Sequence, residues 1–112
     1  MILKDEKVLV KNSKLCNSLL SKAMGLRFRK KAADTAVIFT FDTPQTVLMD
    51  MWFVFYPIDV VFLDKERRVV EIKENFLPFS FYKSKKDAVY IIEFGYGLVK
   101  KNKLRINDLL DF

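Results

Sequence analysis

The sequence predicts a mainly β protein, a compact antiparallel β-sandwich or barrel-like fold of about seven strands with one short α-helix near the N-terminus. Three observations carry this reading. Runs rich in β-branched and aromatic residues recur at short intervals between polar turns. Only one segment, early in the chain, has the spacing of an amphipathic helix. Strand and helix patterns do not alternate, which argues against a parallel βαβ sheet and for a sandwich or barrel.

The elements follow in chain order. "KVLVK" (7–11) alternates loosely and reads as a strand. "SKLCNSLLSKAMG" (13–25) reads as the helix. Ser13 stands at its cap, Leu15, Leu19, Leu20, Ala23 and Met24 share a face, and Gly25 stands at the left-handed C-terminal position. "TAVIFTFD" (35–42) is a strand and "TPQT" (43–46) a turn. "VLMDMWFVFY" (47–56) and "IDVVFLD" (58–64) are two strands, or one strand bent at Pro57, which cannot donate to a ladder. "DKERR" is a polar turn that joins "IDVVFLD" to the alternating "VVEIKENF" in a hairpin. Residues 77–87, with Pro78 and a charged tip, read as a longer loop. "AVYIIEF" (88–94) is a strand broken by "GYG" (95–97), with no helix expected after it. "LRINDLLDF" closes the chain as a short strand with a tight turn at Asn107–Asp108.

The chain has 112 residues, 51% of them apolar and eleven of them Phe. That favours one domain over residues 1–112, with a core large enough to stand without disulfides or a bound metal. The single cysteine, Cys16, allows no intrachain disulfide, and with no histidine a zinc site or Cys–His pair is not expected. No cofactor is implied. The start is too charged for a signal peptide, so a reduced, cytoplasmic setting is the expectation. The apolar stretch 47–63 approaches membrane length, but Asp50, Pro57 and Asp59 interrupt it. Each acid costs about 2.5–3.5 kcal/mol at a bilayer centre, which argues against a membrane span.

Twenty basic residues against 14 acidic give a net charge of +6. The basic clusters lie at 27–31, 65–68, 83–86 and 100–103. Dispersed, they make a solvated surface; convergent on one face, with an exposed aromatic such as Tyr82 or Tyr96, they make a polyanion surface.

Asp59 is the residue that most needs a physical reason. Both faces of its strand are apolar, and a buried carboxylate must be hydrogen-bonded, paired with a cation or protonated. It either caps backbone N–H groups at the Pro57 corner or pairs with a Lys or Arg, such as Arg27 or Arg29 of the basic loop. Removing it then costs a few kcal/mol, because its cation partner is stranded. Glu93 is the other acid placed in an apolar strand, so an Asp59–Glu93 pair is the weak candidate for acid–base chemistry, which needs two carboxylates roughly 5–9.5 Å apart. Gly95 and Gly97 offer positive φ or close backbone approach. Trp52, Val54 and Tyr56 face one way at strand spacing, and Met51, Phe53 and Phe55 the other. One face is core; the second, with Trp52, can line a groove.

The ordered set "AMGLRFR", "AVIFTF", "MWFVFYPIDVVFLD", "VVEI", "AVYIIEFGYG" and "INDLL" resembles the family called domain of unknown function 192, over residues 7–110. Gly25 and Leu26 match that family's Gly-Leu-Met, with Arg27 in place of Met; Lys22 stands where Arg is common. Pro57, Ile58 and Asp59 match its Pro-x-Asp corner, Glu93 and Gly97 its glutamate and glycine, and Asn107–Asp108 its closing Gly-Asp. Many members carry a polar Lys-Asn-Thr stretch before the proline, where this chain has Trp52, Phe53 and Val54. The resemblance implies a compact β fold with one small helix and no established activity.

Three functions follow as expectations. The first is a noncatalytic module binding a small ligand or a protein, a homodimer included, beside Trp52, Asp59, Glu93 and Arg27. Gly25, Pro57, Gly97, Asn107 and Asp108 then serve structure. The alternatives are nucleic-acid binding through the basic loops and a hydrolase using Asp59 and Glu93.

Overall fold

A computed structural model describes residues 1–16, 35–51 and 54–112. The chain is mainly β. Strands β1 (Ile2–Lys4) and β2 (Lys7–Val10) form a hairpin. Its turn residues Asp5 and Glu6 both have positive φ, 50° and 66°. That is the backbone of the tight turn whose twist matches its flanking strands.

A five-stranded sheet forms the centre, in the order β3 (Asn12–Cys16), β4 (Thr35–Gln45), β9 (Ala88–Gly95), β6 (Ile58–Leu63) and β7 (Val69–Phe76). A separate ribbon pairs β5 (Leu48–Asp50) with β8 (Phe81–Lys83). The short helix α1 (Leu98–Lys101) follows β9. The expectation of an N-terminal helix is corrected in part. Ser13–Cys16 lie in β3, in register with Ala36–Phe39 of β4. Pairing along a neighbouring strand overrides weak helical spacing in so short a stretch. The rest of that segment, with Gly25, lies outside the described residues.

The sheet is mixed, not purely antiparallel, because β3 runs parallel to β4. A parallel pair needs a connection of a dozen or more residues, and residues 17–34 supply that length. Nine strands are described rather than about seven; β1 and β8 are too short to show an alternating pattern, and β3 falls in the stretch read as helix. The described sheets do not close into a barrel.

Every residue of β6 is buried, and this strand divides two cores. On one face Val61, Leu63, Ile92 and Phe94 pack with Ile2 and Val10 of the hairpin, Val99 of α1 and Leu110. On the other face Val60, Phe62, Ile91 and Val37 pack with Phe76, Met51 and Val54, and with Met49 and Tyr82 of the ribbon. Burying a side chain such as Phe62 stabilises by about 1.5–3 kcal/mol.

The β6–β7 hairpin forms as the alternation predicts. Asp64 Oδ1 accepts from the N–H groups of Glu66 and Arg68, each at 2.9 Å, and Arg67 takes the left-handed φ of 66°. Residues 105–111 bond the outer side of this hairpin. Val69 N–H donates to the Asp108 carbonyl and Asn107 N–H to the Val69 carbonyl, both at 2.8 Å. Asn107 has φ 78°, the left-handed turn expected of it, but the chain end makes isolated bridges at Leu109 and Asp111 rather than a strand.

The expected strand over 47–56 is also corrected. Ladder pairing ends at Asp50, and the Met51 carbonyl accepts from the N–H groups of Val54 (3.2 Å) and Phe79 (2.8 Å). Strict alternation does not continue past that point. Met51 and Val54 are buried while Phe55 is 70% exposed and meets Phe79 edge to face at 5.5 Å.

Candidate functional site beside Asp59

Asp59 is fully buried. Opposite it, β7 carries an extra residue. Ile58 pairs with Phe76 and Val60 with Lys73, so Glu74 and Asn75 together face Asp59. This is a β-bulge, and Asn75 takes φ 50° in it. A bulge leaves a backbone N–H without a ladder partner. Asp59 supplies one: Asn75 N–H donates to Oδ1 at 3.0 Å.

The other oxygen holds α1. Gly97 N–H donates to Asp59 Oδ2 at 2.9 Å and Val99 N–H at 3.1 Å. Gly97 caps the helix with φ 91° and has no side chain to accept these protons. A carboxylate from the neighbouring strand does so instead, satisfying N–H groups that a first turn leaves without partners. The acid in the apolar run thus caps backbone, as one expectation held. The location differs: the donors are at the β7 bulge and α1, not at the Pro57 corner. Its three partners are all main-chain, and no described cation pairs with it. The expected absence of a helix after "GYG" is likewise corrected, since α1 begins at Leu98.

Glu93 is also buried but faces the other way. Asp59 lies opposite Phe94, and Val60 opposite Glu93, in the regular β6–β9 ladder. Residues opposite one another share a face and adjacent residues alternate. Asp59 and Glu93 therefore project from opposite faces of the sheet. Two such carboxylates cannot flank one scissile bond, which removes the geometric basis of the hydrolase expectation. Trp52 and Arg27 lie outside the described residues.

Beside the Asp59 contacts an open groove of about 550 Å³ runs between the β7 bulge and α1. Asn75 and Tyr96 line it with Glu74, Lys100, Lys103 and Arg105. Its two walls carry the N–H donors that Asp59 holds. Tyr96 is 53% exposed, and the three cations are on the surface. Lys4 Nζ reaches the Lys103 carbonyl at 3.4 Å and pairs with Asp108 at 3.0 Å. Burial opposes ionisation of Asp108. The Lys4 hydrogen bond, the Arg105 N–H and both nearby cations outweigh it and hold the carboxyl below its usual range.

A third buried acid, Glu71, is not among the candidates read from the sequence. Its signal was present: it stands between Val70 and Ile72, as Glu93 stands among apolar residues. Glu71 Oε1 accepts from the N–H groups of Lys85 and Lys86, each at 2.8 Å, and its Oε2 accepts from the Tyr82 hydroxyl. Tyr82 packs on Phe62 and Phe76, with Lys73 Nζ 5.3 Å from its ring centre. Burial, then the Glu71 hydrogen bond and charge, push the Tyr82 hydroxyl up to about 12. Tyr82 is thus a packed residue, not the exposed stacking aromatic it was a candidate for; Tyr96 is exposed.

The basic clusters have distinct settings. That at 65–68 sits on the β6–β7 turn, where Arg67 lies 4.2 Å from the Phe112 ring centre and 5.5 Å from that of Tyr90. That at 83–86 wraps Glu71, and that at 100–103 lines the groove. The cluster at 27–31 lies outside the described residues. None of the described helices is long and apolar enough to cross a membrane.

Comparison with known proteins agrees with this architecture. A UPF0127 protein from Pyrococcus abyssi is 30% identical over 98 residues, covering 88% of this chain and 83% of that protein. A crystal structure of a "putative transcription regulator" from Sinorhizobium meliloti superposes with a TM-score of 0.83 at 26% identity, covering 88% of this chain and 79% of that one. A protein of unknown function from Novosphingobium aromaticivorans gives 0.82 at 23% identity, with 89% and 74% covered, and shows the shared fold alone. The family model described as "Uncharacterized ACR" matches residues 2–112, and the chain belongs to that family, DUF192.

Proposed function

We propose that this chain is a noncatalytic binding module that takes an anionic ligand in the groove between the β7 bulge and α1. The observation that carries this reading is the convergence of Lys100, Lys103 and Arg105 on one groove against a single acid, Glu74. Charged side chains that ring a concave surface raise the local concentration of the opposite charge. Tyr96 adds an aromatic wall. The nearest buried carboxylate, Asp59, is engaged by three amides and has no role as a base or nucleophile in this reading. The groove lies on the Asp59 side of the sheet, so Glu93 has no part in it.

The test is an amide-shift titration of the isotope-labelled protein with inorganic pyrophosphate, with citrate as a second anion. Saturable shifts are expected at Asn75 and across residues 96–105, with a Kd near or below about 1 mM. Replacing Lys100, Lys103 and Arg105 together by Ala abolishes them without loss of fold, because all three side chains are on the surface. Shifts scattered over all the basic clusters, or none in the groove, would overturn the reading.

A further inference from the structure

We propose that the groove is one end of a track for single-stranded nucleic acid. This rests on the groove binding an anion and adds the class of ligand. The first observation is that the basic surface does not stop at the groove. Arg68, from the cluster on the β6–β7 turn, donates from Nη1 to the Asn107 carbonyl at 3.1 Å. Asn107 is two residues beyond Arg105, a groove residue. Arg68 of the 65–68 cluster is thus anchored on the loop after α1 that also carries Lys103 and Arg105 of the groove. The track so proposed comprises Lys100, Lys103 and Arg105 in the groove and Arg68 on the adjoining turn.

Asp64, beside Arg68, is engaged by the N–H groups of Glu66 and Arg68 at 2.9 Å, and Glu66 is an exposed acid on the same turn. Asp108 is already paired with Lys4 at 3.0 Å and receives the Arg105 N–H at 2.7 Å. Among the described residues Glu74 is the single acid on the groove wall.

The second observation is Tyr96, an aromatic side chain 53% exposed beside the cations of the groove. A row of cations with an aromatic face suits a phosphate backbone whose bases are free to stack. A duplex keeps its bases stacked on each other and gives Tyr96 nothing to receive. A free mononucleotide or phosphate uses the groove and leaves Arg68 idle. The continuation of charge past the groove favours the polymer.

The experiment measures fluorescence anisotropy of a labelled oligothymidylate of about 12 nucleotides at two salt concentrations, beside the pyrophosphate titration. Each phosphate neutralised on a single strand contributes a slope of about −0.7 in log K against log salt. Four contacts give about −2.8, so affinity falls about 50-fold between 50 and 200 mM salt. Tyr96→Ala is expected to weaken the oligonucleotide by about 10-fold with the slope unchanged. Arg68→Gln is expected to make the slope shallower by about 0.7 while pyrophosphate affinity stays as it was. Pyrophosphate bound in the groove without oligonucleotide binding would overturn the track and leave the groove reading standing. Neither bound would overturn both. A duplex of equal length bound as tightly, or an Arg68→Gln slope equal to the parent's, would overturn the single-strand assignment or the track.

Discussion

Replacing Asp59 by Ala removes the acceptor of three backbone N–H groups at once. The side chain itself is buried, and the protons of Asn75, Gly97 and Val99 lose their partners. Each buried, unsatisfied donor costs about 1–3 kcal/mol. Asn75 and Gly97 line the groove, where water reaches in, so the low end applies to them. Val99 is 3% exposed and takes more of the full penalty. The sum is about 3–5 kcal/mol. The sequence reading gave a similar magnitude for a different reason, a stranded cation; here the stranded groups are amides. At this chain length the loss lowers the melting temperature by about 12–20 °C. Total stabilities run about 5–15 kcal/mol, so the variant is best measured by urea unfolding in the cold. Asp59→Asn keeps a single acceptor oxygen and leaves at least one wall unheld. Amide exchange of that variant is expected to show lost protection at Asn75, or at Gly97 and Val99, with protection elsewhere in β6 and β9 retained. A loss below about 1 kcal/mol for Asp59→Ala, or unchanged exchange at all three amides in both variants, would refute the reasoning.

Three further outcomes are expected. Absorbance titration of the four tyrosines should show one phenolate forming near 12, absent in Tyr82→Phe. Because the folded value lies above the unfolded one of 10.0, this stabilisation is complete below pH 10 and is lost as pH rises through about 12. The Asp108 carboxyl is held below its usual value, so its contribution is present above about pH 4 and lost as pH falls through the lowered value. Urea midpoints of Asp108→Asn should therefore fall less steeply on acidification than those of the parent. Gly97→Ala should cost about 1–2 kcal/mol from its φ of 91° alone, since a Cβ there meets nothing within 4 Å; Gly97→Asn should cost less by the same unfolding measurement.

What was legible in the sequence follows the range of the interactions involved. The β6–β7 hairpin was readable because both its alternation and its Asp64 turn are local. β9 was readable for its β-branched run and for the glycines that end it. β3 was not, since Leu15, Leu19 and Leu20 offer a helical spacing that begins inside a strand. What decides Ser13–Cys16 is the β4 edge, distant in sequence. α1 is four residues long, too short to show a period. Asp59 stood out because an ionisable group in an apolar run has a cost whatever the fold. Its partners did not, because main-chain N–H groups have no sequence signature. The cations of the groove were visible as clusters, but their convergence depends on the loop at 103–108.

The placement of Asp59 also bears on how a negative charge can lie beneath a groove proposed to take anions. A carboxylate aimed into the groove would repel such a ligand. Here both oxygens are turned to amides, Oδ1 to the bulge and Oδ2 to the first turn of α1. The positive ends of three N–H dipoles face that charge, and the lysine and arginine side chains line the groove itself. The same contacts bind the two walls to β6, so the groove keeps its shape only while the core around Asp59 is intact. A ligand that binds the groove of the folded chain alone then stabilises the whole fold by RT ln(1 + L/Kd), where L is the free ligand concentration. A built site with a Kd near about 1 mM then raises the melting temperature at millimolar ligand beyond the effect of salt at equal ionic strength, whereas a loose cluster of surface charge binds too weakly to do so.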